Sequence, residues 1–142
     1  MRFLALDVGE KRIGIAVSDP TGIIAQAHSV WERRQNKEQD YQHIATLCSG
    51  YEDLREIVVG LPINMDGTMG IQARGMESFI QDLLNYVSIP ITTWDERMTT
   101  VSAERVLIAA DVSRKKRRQV IDKLAAVYIL QAYLDRINYS KE

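Results

Sequence analysis

Apolar and polar positions along the chain change period twice. Between Phe3 and Val8, the residues Phe3, Ala5 and Asp7 alternate with Leu4, Leu6 and Val8. Both sides of this stretch are apolar until Asp7, which predicts a strand buried on both faces. Gly9-Glu10-Lys11 is short enough for a hairpin turn, with Gly9 available for positive φ. Arg12 to Ser18 then returns with Ile13, Ile15 and Val17 on one face. Arg12, Gly14, Ala16 and Ser18 occupy the other face, where small residues allow something to come close. Asp19-Pro20-Thr21-Gly22 reads as a second turn, and Ile23 to Trp31 as a third strand. Consecutive strands joined by short turns predict an antiparallel meander.

After the meander the period becomes helical. Tyr41, Ile44, Ala45 and Cys48 fall at helical spacing within Lys37–Ser49, and Gly50 follows as a stop. Ile57-Val58-Val59-Gly60-Leu61 is a continuous apolar run typical of a central parallel strand, and Pro62 to Gly70 reads as a loop. Met76, Phe79, Ile80, Leu83, Leu84 and Val87 match the i, i+3, i+4, i+7 template and predict an amphipathic helix. Pro90 precedes a strand from Ile91 to Trp94. Thr99 or Thr100 is suited to N-cap a helix whose inner face is Ala103, Val106, Leu107 and Ala110. A last helix is expected from about Gln119 to Ile137. The pattern predicts an α/β fold over 1–142, a single domain. Its mixed five-stranded sheet joins the three-strand meander to two parallel strands, with helices on the faces.

Composition narrows the chemistry. A net charge of −1 gives no bulk signal for nucleic acid or membrane, although a local patch can bind where the whole is near neutral. One cysteine, Cys48, allows neither an internal disulfide nor a cysteine-based zinc site. With two histidines besides, a catalytic metal would take mainly oxygen ligands, which favours Mg²⁺ or Mn²⁺. No apolar run approaches the ~18 residues of a membrane span, and no signal-peptide pattern precedes the first strand. The expected location is therefore the cytoplasm.

Ligands of open α/β sheets gather beyond the carboxyl ends of parallel strands. Asp7, Leu61 and Asp95 end three expected strands and should share one rim. Asp7 can instead accept bonds from its own hairpin turn. Asp95 or Glu96 can favour the start of a following helix or pair with Arg97, and an acid in a first helical turn commonly complements the dipole. Asp122, however, sits in an apolar surround with Ala125 and Ala126 at i+3 and i+4, which leaves room beside it. Crowded carboxylates resist joint ionisation unless a cation neutralises them, and such ions serve phosphodiester cleavage.

Four blocks resemble the YqgF family, also called RuvX, of Holliday junction resolvases in the RNase H-like superfamily. They are LALDVGEKRIGIAVSD from Leu4, VVGLPINMDGT from Val58, DERMTT from Asp95 and IDKLAAVYILQAYLD from Ile121. The resemblance implies an RNase H-like fold and a metal-dependent nuclease with Asp7, Glu96 and Asp122 as catalytic acids and metal ligands. Asp95 is a further candidate ligand. It also implies precursor ribosomal RNA as substrate, in 5′-end maturation of pre-16S rRNA, or branched DNA in junction resolution. Ribosomal particles are a further partner, and the chain would act as a monomer or homodimer. The fourth strand departs from related resolvases in lacking an acid at its tip, so Glu96 must come from the next strand.

Arg114, Lys115, Lys116, Arg117 and Arg118 form a cationic run shortly before Asp122, suited to phosphate contacts. Lys11, Arg12 and Arg97 lie beside the candidate acids and are assigned to nucleic acid as well. The loop around Asn64–Thr68 is either a flap over substrate or an ordinary connection. Trp31, Tyr41, Tyr51 and Trp94 are too scattered in sequence to argue a stacking platform. Two other classes compete with the nuclease. One is a nucleotide phosphotransferase of the actin or sugar-kinase type, suggested by Asp7-Val8-Gly9 with Gly14, although no second lobe is present to enclose ATP. The other is a non-catalytic nucleic-acid or ribosome-assembly factor.

Overall fold

A computed structural model describes residues 1–64, 66–98 and 114–139, with the side chains of 114–123 excepted. The chain forms β1 (Arg2–Val8), β2 (Arg12–Ser18), β3 (Ala25–Glu32), α1 (Lys37–Ser49), β4 (Leu54–Leu61), α2 (Ile71–Leu83) and β5 (Ile91–Asp95). A 3-10 turn (Glu96–Met98) and a long helix α3 (Arg114–Tyr139) complete the described part. The helix expected after Thr99 or Thr100, with Ala103, Val106, Leu107 and Ala110, lies outside the described residues.

Five strands of the described residues make one sheet in the order β3-β2-β1-β4-β5. The meander β1-β2-β3 is antiparallel, while β4 and β5 run parallel to β1. The doubly apolar pattern of β1 follows from its central place. Leu4 and Leu6 face a core with Ile13, Ile15, Ile57 and Val59, covered by Tyr41, Ile44 and Cys48 of α1 and Ala73, Met76, Phe79 and Leu83 of α2. Phe3 and Ala5 face the opposite core, where Ala16, Val58 and Trp94 meet Ala125, Ala126, Ile129, Leu130 and Leu134 of α3. The close neighbour admitted by the small residues of β2 is therefore α3.

The turns hold the meander in register. Asp19 accepts bonds from the backbone of Ile23 and Ile24, and from Thr21, whose hydroxyl is one of the donors. Gly22 has a φ of +73° and packs on Phe3, so its left-handed turn also needs a missing Cβ. Gly9 does not adopt the expected positive φ. Its requirement is space, because a Cβ there would lie 3.0 Å from the carbonyl oxygen of Arg12.

Two helix starts differ from the sequence expectation. Helix α2 begins at Ile71 rather than Met76 and ends at Leu83, while α3 begins by Arg114 rather than Gln119. The basic run is thus part of α3. Lys and Arg are good helix formers, and no Gly or Pro interrupts 114–139, so charge changes the helix surface without breaking it.

Helix α3 runs back along the sheet. Asn138 Nδ2 donates to Gly22 O at 3.0 Å beside one rim, Tyr133 packs edge-on to Phe3, and Ile129 lies over Gly60 near the other rim. Its N-terminal turns therefore point toward the carboxyl ends of β1, β4 and β5. No helix among the described residues is long and apolar enough to cross a membrane.

Candidate active site

The site begins with strand register. Leu6 pairs with Val59, so Asp7 and Gly60 are the next residues along β1 and β4, and Gly60 pairs with Trp94 of β5. Alternation puts Asp7 on the face of Phe3 and Ala5, and Gly60 on the face of Val58, which is the α3 side for both. Glu96 begins the 3-10 turn just beyond β5 and folds back over Gly60. A Cβ at position 60 would lie 3.4 Å from Glu96 Cγ and 3.5 Å from its carboxyl carbon. The same Cβ would lie 2.6 Å from Ile129 Cδ1, closer than real atoms approach. Gly60 is therefore a floor without a side chain, flanked by Asp7 and covered by Glu96. The absent acid at the tip of β4 has a structural counterpart: the space is needed by the carboxylate from β5.

Asp95 and Arg97 set the direction of Glu96. The Asp95 carboxylate accepts from Arg97 N at 2.9 Å, and from Nε and Nη2 of the same guanidinium at 2.9 and 2.6 Å. This clamp closes the turn around Glu96, whose neighbours on both sides are tied to each other. Hydrogen bonding from the Arg97 side chain, chiefly, holds the Asp95 carboxyl below its ordinary range. Arg97 also reaches Asn64 O at 3.4 Å, linking the clamp to the 62–70 loop. In that loop Asp66 accepts from both the backbone and hydroxyl of Thr68, and Gly67 has a φ of +87°.

A cavity of about 1050 Å³ opens over this rim, and Asp7, Gly60 and Glu96 belong to its wall. Lys11 and Arg12 line it from the hairpin, and Arg33 and Arg34 from the end of β3. On the α1–α2 side it reaches Tyr41, which donates to Asp82 Oδ2 at 3.0 Å. Burial, followed by that bond to Asp82, pushes the Tyr41 phenol up to about 12.

Sequence-expected residues thus fall into three groups. Asp7, Glu96, Lys11 and Arg12 share the cavity wall. Asp95 and Arg97 pair with one another beside it. Asp122 and Arg114, Lys115, Lys116, Arg117 and Arg118 lie on the backbone of α3. Asp122 stands one turn before Ala125 and Ala126, on the helix directed toward this rim, and nothing is described of its side chain. Among the described residues no three metal-ligating side chains come together. The donors present, Asp7 and Glu96, offer hard carboxylate oxygens, a set matched to Mg²⁺ or Mn²⁺ rather than to zinc or copper.

Sequence reasoning passed over Gly60, Arg33, Arg34 and Asp40. An isolated glycine inside an apolar strand is a recognisable sign of close approach, so the Gly60 signal was present. Asp40 had no such sign, since an acid in the first turn of a helix ordinarily complements its dipole. Here it is fully buried and accepts from Trp31 Nε1 at 2.8 Å, Arg33 Nε at 3.1 Å and Arg34 N at 2.9 Å.

The sequence model of a family described as "RuvX: Holliday junction resolvase" matches residues 1–136. A protein of Halalkalibacterium halodurans named "Putative pre-16S rRNA nuclease" is 56% identical over 137 residues, spanning 96% of this chain and 97% of its own. One of the same name from Syntrophomonas wolfei is 50% identical over 142 residues, covering 100% and 99%. Among solved structures, Thermus thermophilus RuvC aligns with a TM-score of 0.57 at 9% identity over 97% of both chains. The fowlpox virus Holliday junction resolvase aligns with a TM-score of 0.51 at 12% identity, over 96% of this chain and 99% of its own. At such identities the likeness establishes the fold, which is RNase H-like.

Proposed function

The chain belongs to the RuvX family of Holliday junction resolvases, a family of nucleases, and from that membership we propose a divalent-metal-dependent enzyme that hydrolyses phosphodiester bonds in structured nucleic acid, with pre-16S rRNA 5′-end processing as its role. The observation that carries the site is the pair of carboxylates Asp7 and Glu96 at Gly60, on the wall of a cavity also lined by Lys11 and Arg12. The ribosomal role rests on relatives at 50% identity or more that bear that name.

Asp7 and Glu96, joined by Asp122 from α3, would hold Mg²⁺ or Mn²⁺ through carboxylate oxygens, with Asp95 as a further candidate. When bound, such an ion supplies an activated water and stabilises the departing oxygen. The chain's own residues provide the rest. Gly60, with Ile129 packed against it, leaves the space beside which the Glu96 carboxylate lies. Lys11 and Arg12 face the same cavity and supply positive charge to orient a phosphate. Arg97, already held by Asp95, fixes the turn that aims Glu96.

The test is cleavage of precursor ribosomal RNA beside a four-way DNA junction, with Mg²⁺ or Mn²⁺ and with chelator. Asp7→Asn and Glu96→Gln each remove a charge at nearly constant volume, so cleavage is expected to vanish while thermal unfolding stays close to wild type. Asp122→Asn should behave likewise. Full activity in the Asp7 and Glu96 variants would end the proposal. Cleavage confined to the DNA junction would move the substrate from RNA to branched DNA, the reading favoured by the family description.

A further inference from the structure

The rim carries a second built feature, at the corner where β3 turns into α1. Its centre is the fully buried carboxylate of Asp40, which ties Trp31 near the end of β3 to Arg33 and Arg34 just beyond it. Burying a carboxylate is costly unless its lone pairs are satisfied, and here every partner comes from Trp31, Arg33 or Arg34. The result is a stack. The Trp31 ring lies parallel to His43 with centroids 3.7 Å apart and planes 13° apart. The Arg34 guanidinium carbon sits over the Trp31 ring, 4.5 Å from its centroid.

Arg33 and Arg34 divide the work. Arg33 is consumed by the fold: it bonds Asp40, donates from Nη1 to Gly9 O at 2.9 Å and lies over Phe79. Through Gly9 it braces the hairpin that follows Asp7. Arg34 is exposed, and its backbone N–H rather than its guanidinium meets Asp40. Burial foremost, then His28 and Arg34, holds the His43 imidazole below its ordinary range, so the stack's positive charge is that of Arg34. A guanidinium laid on an aromatic face loses less freedom on binding than a free one, and its outer edge keeps planar donors suited to phosphate.

Position completes the argument. The carboxyl end of β1, the start of β2 and the end of β3 lie on one rim, and Ile13 pairs with Trp31 while Val8 pairs with Ile13. Val8, next to Asp7, and Trp31 are thus two strands apart, about 10 Å across the sheet, and Arg34 lines the same cavity as Asp7.

We propose that the Trp31–Arg34–Asp40 corner is a phosphate-contacting subsite for the nucleic-acid strand that passes the Asp7–Glu96 site. Arg34 is the contact, Trp31 its platform, and Asp40 the positioning residue beneath them. This rests on the nuclease reading and deepens it. A guanidinium that merely covers the edge strand would leave binding and its salt dependence unmoved.

The experiment uses full-length Asp7→Asn protein, expected to hold substrate without cutting it, and follows fluorescence anisotropy of labelled structured RNA and a four-way DNA junction across a salt series. Adding Arg34→Ala is expected to weaken binding roughly three- to tenfold and lower the log–log salt slope by about one contact. Arg34→Lys should restore the slope but only part of the affinity, because a lysine keeps charge without the stacked plane. Equal affinity and slope in Asp7→Asn and Asp7→Asn/Arg34→Ala would overturn the subsite while leaving the nuclease intact, provided wild type still cleaves. Wild type that neither binds nor cleaves would overturn both.

Discussion

A methyl group at position 60 would lie 2.6 Å from Ile129 Cδ1, which would have to move, and would sit in contact with Glu96, so one residue joins packing to chemistry. Ile129 is fully buried, so its Cδ1 cannot retreat without disturbing the α3 core. Gly60→Ala should therefore lose about 1–3 kcal/mol of stability, the ordinary cost of overpacking. It should also lower cleavage, because the added methyl takes up the open space beside the Glu96 side chain, 3.4 Å from its Cγ. The two effects separate in the double variant. Ile129→Val removes the clashing methyl at a cost of about 0.5–1.5 kcal/mol in an otherwise unchanged core. Gly60→Ala/Ile129→Val should accordingly recover stability relative to Gly60→Ala, yet stay impaired in cleavage. Urea melts and initial rates measured on the same preparations decide it. Wild-type behaviour of Gly60→Ala in both would remove Gly60 from the site.

At the scale of elements, what could be read from the sequence follows what is local. The hairpins, α1, β4 and β5 announce themselves through period and turn residues, because strand alternation and helical spacing are properties of neighbours. The starts of α2 and α3 were displaced for different reasons. In α2 the regular apolar spacing begins at Met76, and Gly75 just before it resembles a stop, although Ala73 is already in the core. In α3 five cations resemble a break. The site divides the same way. Asp7 and Glu96 stand out as acids at strand ends, but the reason that Glu96 can reach Gly60 depends on register between β4 and β5. The Asp40 corner depends on contacts from β3 to α1 that no window of sequence contains. Gly75 gives α2 a test of its own. A Cβ there would meet nothing within 4 Å, and the residue is exposed inside a helix. Gly75→Ala should raise stability by about 0.5–1 kcal/mol through lower unfolded-chain entropy and better helix propensity. A lower denaturation midpoint would show that the glycine serves the cavity wall rather than persisting as a neutral weak point.

For the whole molecule, a net charge of −1 makes affinity for a polyanion a question of where charge lies. Lys11, Arg12 and Arg34 lie toward the β2–β3 side of the rim. Helix α3 brings its own cations from the other direction. Asp122 is about 10 Å along the helix axis from Ile129, toward the strand ends, and Arg118 about 6 Å further. A strand that met both sets of cations would be held by local charge rather than by net charge. Neutralising Arg114 to Arg118 with glutamine changes the net charge by five and leaves helix propensity nearly intact. The expected result is a raised KM with kcat largely retained, and a binding salt slope reduced by about 0.7–0.9 for each cation that touches phosphate. Arg55→Gln is the control. It neutralises an exposed cation at the start of β4, on the opposite rim, where its guanidinium contacts Met1 Sδ. If that change lowers the slope as much per charge as the α3 run does, bulk electrostatics governs binding and the two-sided arrangement fails. If the α3 variant alone flattens the slope, the N-terminal turns of the long helix help hold the strand at the rim.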